Sequence, residues 1–120
     1  MSYRFIPQLA DEEIRLQQEE GLCRTVRRAW NSPQYSSKLR ACGLEPGEAI
    51  GLDDLPRLPT VDVDDLREGY PLPLLCVPPA AVVRVHASSG TTGKRKILAY
   101  TAADVETFNL QMARCYELAG

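Results

Sequence analysis

The distribution of proline most constrains what this chain can fold into. Six of the nine prolines lie between Pro56 and Pro79. Because proline fixes φ and lacks a backbone N–H, long helices and central strands cannot continue through such a stretch. The prolines therefore divide the chain into three parts, which are a helical segment at 1–43, a proline-rich connecting segment at 44–81 and a strand–loop–strand–helix segment at 82–120.

The first segment has helical periodicity over 9–43. Leu22, Val26 and Trp30 recur every four residues and would share one face, which we expect to serve packing or contacts in a dimer. The sequence Asn-Ser-Pro at 31–33 predicts the end of this helix and the cap of a second, shorter one. In the second helix we expect Tyr35 and Leu39 to point inward, with Gly43 at its end.

The connecting segment is rich in aspartate. Asp62 and Asp65 have the spacing of a cap and its partner, which predicts one short helix at 62–69. The acidic residues could also suggest a metal or acid–base site, but their spacing fits helix starts better, and we assign no metal ligand. The residues concerned are Asp53, Asp54, Asp62, Asp64 and Asp65.

The third segment predicts a β-hairpin followed by a helix. β-branched residues at 82–86 indicate a strand, and 96–100 indicates its partner. Thr101 would cap the helix, with Asp104 bonding back to it. Four residues define the expected inner face of this helix: Val105, Phe108, Met112 and Tyr116. The fold class that these elements predict is mixed α and β.

Residues 88–94 carry the most distinctive chemistry. They are Ser88, Ser89, Gly90, Thr91, Thr92, Gly93 and Lys94. Glycines allow positive φ and let successive N–H groups face an anion, hydroxyls donate to phosphate oxygens, and an ammonium group adds charge. The sequence therefore predicts a phosphate-binding loop, with an ordinary polar hairpin loop as the alternative.

This loop differs from other known nucleotide and nucleophile motifs. A Walker loop needs glycine at the position of Ser88 and a hydroxyl residue at the position of Arg95. No nucleophile elbow surrounds Ser88 or Ser89, so a serine-nucleophile mechanism has little support. The single histidine, His86, lies within an apolar strand and is expected to be a core residue more often than a catalyst.

Composition excludes several functional classes. The chain has 120 residues and a net charge of −2, which disfavours nucleic acid as a partner. No stretch approaches the roughly 20 apolar residues of a membrane helix, and residues 1–14 lack the pattern of a signal peptide, so we expect a cytoplasmic protein. The four cysteines are expected to be reduced thiols in the core: Cys23, Cys42, Cys76 and Cys115.

The loop and its flanks resemble a known family. Residues 85–94, followed by Tyr100 and Thr101 at a helix start, look like the phosphate-loop motif of adenylate-forming enzymes. Further stretches resemble the phenylacetate–coenzyme A ligase branch, at 28–35, 55–59, 65–71 and 104–120. Members of this family are several-fold longer, so the chain resembles an N-terminal part of such a ligase. The resemblance implies that the hairpin joins a larger α/β sheet, and we therefore expect Val83, Val85, Ile97 and Phe108 to face an incomplete core.

This resemblance implies a reaction and its substrates. The whole ligase would activate an aryl acid with ATP, with magnesium implied, and transfer the acyl group to coenzyme A. Residues 88–94 would hold the β- and γ-phosphates, whereas the remaining machinery would lie outside this chain. One departure is Arg95, where the family usually has proline.

Three hypotheses remain open from the sequence. The first is a fragment of such a ligase that is inactive alone. The sequence does not distinguish phenylacetate from other aryl acids as the substrate of this ligase. A related synthetase acting on a deazaflavin shares such a loop. The second is a stand-alone phosphate- or nucleotide-binding module. The third is a helical dimerisation module in which the loop is incidental.

Overall fold

The structure is a computed structural model that describes residues 4–90, 93 and 95–120. Its helices are α1 (Asp11–Ala29), α2 (Pro33–Ala41), α3 (Val63–Glu68) and α4 (Ala102–Ala119), and its strands are β1 (Arg84–Ala87) and β2 (Ile97–Tyr100). Two 3₁₀ helices, Leu52–Arg57 and Pro79–Ala81, add short turns to the proline-rich segment that the sequence pattern did not predict. The predicted mixed α and β fold is confirmed.

The predicted break between the first two helices is confirmed. Helix α1 runs through Gly21 and ends at Ala29, and α2 begins at Pro33. Ser32 caps α2, because its Oγ accepts a hydrogen bond from the Tyr35 N–H at 3.2 Å. Proline fits the first position of α2 because the N–H that it lacks would have no partner there.

A small core forms where α1 and α2 meet the residues that follow them. Four apolar side chains are buried there: Val26, Leu39, Leu44 and Ile50. Leu22, Trp30 and Tyr35 are partly buried and pack against this group. The inward positions predicted for α1 and α2 are thus confirmed. Packing of the face that carries Val26 and Trp30 is confirmed, whereas contacts in a dimer stay a prediction.

The proline-rich segment is fixed to α2 by polar side chains. Tyr35 Oη donates to the Pro59 carbonyl at 2.7 Å, and Ser32 Oγ donates to the Pro73 carbonyl at 2.9 Å. These bonds satisfy carbonyl groups that have no helix or sheet partner in an irregular segment. A segment unable to form regular structure is therefore held in place by its neighbour.

Lys38 and Asp65 join α2 to α3. Their side chains are 2.6 Å apart, and Lys38 Nζ also donates to the Thr60 carbonyl at 3.2 Å. The hydrogen bond from Lys38, followed by the N–H of Asp62, lowers the pKa of Asp65 below its usual value. The same hydrogen bond raises the pKa of Lys38.

The aspartates serve helix starts, as predicted. Asp62 accepts from the backbone N–H groups of Asp64 and Asp65, and Asp65 accepts from the N–H of Asp62 at 2.9 Å. Asp54 does the same at the start of a 3₁₀ helix, where it accepts from Gly51 N–H at 3.0 Å. Within the described residues, no group of three or more His, Cys, Asp or Glu side chains could hold a metal ion.

The last third of the chain forms the predicted hairpin and helix. Strands β1 and β2 pair antiparallel, with Arg84 opposite Tyr100 and Ala87 opposite Ile97. Both strands are slightly shorter than the ranges that the sequence indicated. Thr101 caps α4 through a reciprocal arrangement in which Asp104 accepts from the Thr101 N–H at 2.8 Å.

The inner face predicted for α4 is wrong for most of its residues. Phe108, Met112 and Tyr116 are 48%, 37% and 71% exposed, and only Val105 of the predicted set is half-buried. Val83 and Val85 of the hairpin are also exposed, as expected for an incomplete core. The accessible surface is 8776 Å², about 2,300 Å² more than a compact monomer of this mass exposes.

Two further expectations concern cysteines and membranes. All four cysteines are unpaired, but Cys42 and Cys115 are exposed and Cys23 and Cys76 are half-buried, so our core assignment is wrong. Cys42, at the end of α2, and Cys115, on α4, lie at positions that face solvent, although Cys42 falls between the core residues Leu39 and Leu44 in the sequence. None of the helices in the described part of the chain combines the length and apolar character needed to span a bilayer.

Candidate functional site

The base of the glycine-rich loop is closed by Ser88 and Lys96. The Ser88 N–H donates to the Lys96 carbonyl at 2.9 Å, and the Lys96 N–H donates to Ser88 Oγ at 3.0 Å. These bonds extend the ladder of β1 and β2 by one pair. Ser88 is thus half-buried and structural as well as a candidate phosphate ligand, whereas Ser89 is exposed.

Both glycines of the loop adopt conformations that favour glycine. Gly90 has φ of 71° and Gly93 has φ of 129°. Side-chain-bearing residues rarely adopt these values, and such turns expose N–H groups in the manner of anion-binding loops. Thr91, Thr92 and Lys94, which the sequence also assigned to phosphate binding, lie outside the described residues. The assignment of residues 88–94 to phosphate therefore stays a prediction.

Arg95 lies against the turn of the loop. A Cβ atom added to Gly90 would be 2.6 Å from Arg95 Cγ and 3.5 Å from its Nε. Arg95 is exposed, and neither it nor Lys96 forms an ion pair with any carboxylate of the described residues. The loop thus has two cationic residues directly after it whose charges are not neutralised by this part of the chain.

His86 does not occupy the core position that we expected. It is exposed on β1, and its ring lies 4.8 Å from the ring of Tyr100, at an interplanar angle of 55°. Among the described residues no apolar layer covers this face of the hairpin, so the imidazole contacts the Tyr100 ring in a tilted arrangement and is not buried.

The sequence identified the loop but missed the position of Arg95. In the sequence, Arg95 stands out only as a departure from the family pattern, which usually has proline at this position. Gly90 could have indicated this position. It lies five residues before Arg95, on the other arm of a short hairpin loop, and has no side chain to fill the space between the two arms. Such a loop brings residues on its two arms together.

A cavity outside the glycine-rich loop lies at the end of β2. It measures about 620 Å³ and lies between α1, the segment at 72–77 and the junction of β2 with α4. Arg28 and Asp104 are its charged lining residues, and the rest of the lining is largely apolar. The pKa of Asp104 is lowered by its hydrogen bonds from Thr101 and, less strongly, by the charge of Arg28. Asp104 is already the capping partner of α4, so the cavity has no unengaged acid–base group.

Curated relatives match almost the whole chain. A phenylacetate–coenzyme A ligase from Thermus thermophilus is 43% identical over 113 residues, which are 93% of this chain and 25% of that protein. Ligases of the same name from Aromatoleum evansii and Escherichia coli are 39% and 38% identical over 96% and 91% of this chain. The chain spans about a quarter of the length of these relatives. No family model matches the sequence.

A solved structure has the same fold. A 2-hydroxyisobutyryl-CoA ligase, determined with 2-HIB-AMP and CoA in its thioesterification state, superimposes with a TM-score of 0.68. Its sequence is 30% identical, and the match covers 80% of this chain and 22% of that one. Sequence and fold together relate this chain to an N-terminal region of the phenylacetate–coenzyme A ligases, a branch of the adenylate-forming enzymes.

Proposed function

We propose that this chain is the phosphate-loop region of an ATP-dependent ligase that joins an aryl acid to coenzyme A. The observation that carries the proposal is the 38–43% identity to phenylacetate–coenzyme A ligases over more than nine tenths of the chain. The positive φ values at Gly90 and Gly93 support it, because a backbone of this shape suits a phosphate chain.

The proposed reaction has two steps. The carboxylate of the acid attacks the α-phosphate of ATP, which gives an acyl-adenylate and releases pyrophosphate. The thiol of coenzyme A then attacks the acyl carbon, a thioester forms, and AMP leaves. Phenylacetate is the acid that the names of the relatives support, and a related aryl acid would use the same chemistry.

The proposed task of this chain belongs to the first step. Residues 88–94 would hold the β- and γ-phosphates, which leave together as pyrophosphate. Backbone N–H groups at Gly90 and Gly93, the hydroxyls of the loop and the ammonium of Lys94 would supply the donors. Since charge accumulates on the departing phosphates, these donors would stabilise the transition state more than the bound ATP.

Magnesium is implied by this chemistry, but the residues that the structure describes offer no set of ligands for it. Among the described residues no cluster of three carboxylate, imidazole or thiol groups exists, and the aspartates that we examined in the sequence serve helix caps and ion pairs. The described residues therefore do not fit a protein-bound Mg²⁺ ion, and we derive no step through one.

We further propose a cytoplasmic enzyme that acts in the breakdown of arylacetates. The support is the set of four unpaired cysteines, which suits a reducing compartment, together with the names of the relatives. Fractionation of the source cells, followed by detection of this chain, tests the location.

The first experiment is to measure the mass of the native protein in its source cells by immunoblotting. A band several-fold above 13.3 kDa is expected, followed by AMP release that depends on both arylacetate and CoA. A band at 13.3 kDa would contradict the ligase. If the chain then binds pyrophosphate tightly and Lys94→Ala abolishes that binding, the protein is a stand-alone binding module instead.

The isolated chain is expected to bind ATP weakly and to be inactive. A loop without adenine contacts must become ordered on binding, at a cost of about 1–2 kcal/mol for each residue fixed. Isothermal titration of the chain with ATP tests this expectation, and micromolar affinity would contradict it.

A further inference from the structure

We propose that Arg95 is an additional anion-binding residue of the glycine-rich loop, which binds the same phosphate chain from the opposite arm. This inference rests on the proposed function, and it assigns a role to a residue outside the motif at 88–94. It starts from one contact: the Arg95 side chain lies where a Cβ of Gly90 would be, with Cγ 2.6 Å from that position.

The contact with Gly90 places the side chain of Arg95, including Nε of its guanidinium group, beside the turn of the loop. Because its aliphatic stem packs over the Gly90 turn, Arg95 is held beside the backbone whose φ of 71° makes it suited to an anion. Gly90 is thus needed twice, for its φ and for the space that Arg95 fills. The group remains exposed, so its N–H donors can reach a ligand above the turn.

The charge of Arg95 is available to a ligand. None of the ion pairs in the described part of the chain involves Arg95. A guanidinium group carries five N–H donors in a planar fork that matches two oxygens of a phosphate. An unpaired arginine placed on a turn of this kind suits a polyphosphate better than a neutral ligand.

Arg84 provides a matched control on the same hairpin. It is exposed, carries the same charge and pairs with Tyr100 at the end of the ladder away from the loop. The strand between Arg84 and Ala87 spans about 10 Å, which is about one Debye length at moderate salt. A change in net charge alone would affect both variants alike, whereas an effect that depends on closeness to the loop would single out Arg95. Arg95→Lys then separates contact through the planar fork from charge alone.

The test is a titration of the ¹⁵N-labelled 120-residue chain with inorganic pyrophosphate, at constant ionic strength, followed by the amide signals of Gly90 and Gly93. We expect Arg95→Gln to raise the dissociation constant by about three- to tenfold, the range for one exposed charge-assisted contact. Arg84→Gln should change it by less than about twofold. Arg95→Lys should fall between wild type and Arg95→Gln, since it keeps the charge but loses the planar fork.

The outcomes separate this inference from the proposed function. If wild type binds millimolar pyrophosphate at the loop and Arg95→Gln binds equally well, or weakens no more than Arg84→Gln, the role of Arg95 is overturned while the loop assignment stands. Because the isolated chain is expected to bind weakly, the titration extends to the highest pyrophosphate concentration that stays soluble. If neither glycine signal of wild type moves there, the phosphate assignment of the loop fails, and the role of Arg95 fails with it. Unchanged amide spectra outside the loop verify that the variants remain folded.

Discussion

Helices α2 and α4 have nearly equal amphipathic character but lie in different environments. Leu39 of α2 is completely buried, and the residues after it fold back to cover it. Phe108 and Tyr116 lie on one face of α4 and are 48% and 71% exposed. The difference comes from what each helix has beside it, because an apolar stripe is buried only where another element covers it.

The comparison shows how the proline-rich segment contributes to the fold. It cannot form long helices or strands, yet it gives α2 a partner and receives hydrogen bonds from Ser32, Gln34, Tyr35 and Lys38. At α4, the described residues provide β2 and the segment near Phe5, whose carbonyl accepts from Arg114 Nε at 2.9 Å. That cover leaves most of the apolar face of α4 open. Cover from a longer polypeptide would agree with the proposed ligase.

The largest expected effect is the loss of the Leu39 side chain. Leu39→Ala removes a fully buried side chain and should lower the free energy of unfolding by about 2–5 kcal/mol. Urea unfolding measures the change. The control is Leu118→Ala on α4, where the side chain is 67% exposed and the change should stay within about 0.5 kcal/mol. Equal losses would show that both helices are covered alike.

Ser32→Ala should have the next largest effect. The variant removes the cap of α2 and leaves the buried Pro73 carbonyl without its donor, so we expect a loss of about 1–3 kcal/mol. Ser37→Ala is the control, because Ser37 is exposed and bonds only within its own helix. Urea unfolding of both variants is the measurement, and similar stability in the two would contradict the role assigned to the Pro73 contact.

The Lys38–Asp65 pair should make stability depend on pH at both ends of the range. The pKa of Asp65 is lowered, so its contribution is present above the ordinary value of 3.8 and is lost as the pH falls through the folded pKa. The pKa of Lys38 is raised, so its contribution is present below 10.5 and is lost as the pH rises through the folded pKa.

Lys38→Met tests this pH dependence. Urea midpoints should fall less steeply in the variant than in wild type towards both acid and alkaline pH. The variant lacks the Lys38 ammonium and so removes the largest cause of the lowered pKa of Asp65, while the hydrogen bond from the Asp62 N–H remains. Asp54 and Asp104 also have lowered pKa values and should retain part of the acid limb. An identical profile in Lys38→Met and wild type would show that the ion pair contributes nothing to folding.

The smallest effect on stability is expected at the open face of α4. Phe108→Gln combined with Tyr116→Gln should change the free energy of unfolding by less than about 0.5 kcal/mol. The same variant should reduce self-association, measured by sedimentation velocity, because the apolar area that drives it is removed. A large loss of stability instead would mean that this face is packed inside the folded chain.

Local structure could be predicted well from the sequence. The end of α1 at 29, the Ser32 cap, the Asp62 and Thr101 helix starts and the pairing of the two strands all follow from residues within a few positions of each other. Burial could not be predicted in the same way. His86, Cys42 and Phe108 are exposed because no element covers them, and cover depends on residues far away in the sequence.

The candidate site shows the same division. The sequence alone determined the glycine and hydroxyl content of the loop, its position between two strands and the resemblance to adenylate-forming enzymes. Only the tertiary structure decided that Ser88 closes the base of the loop, that Arg95 lies over Gly90 and that the face of α4 stays open. Spacing along the chain specifies caps and turns, whereas contacts across a hairpin and cover over a helix depend on how the backbone brings distant residues together.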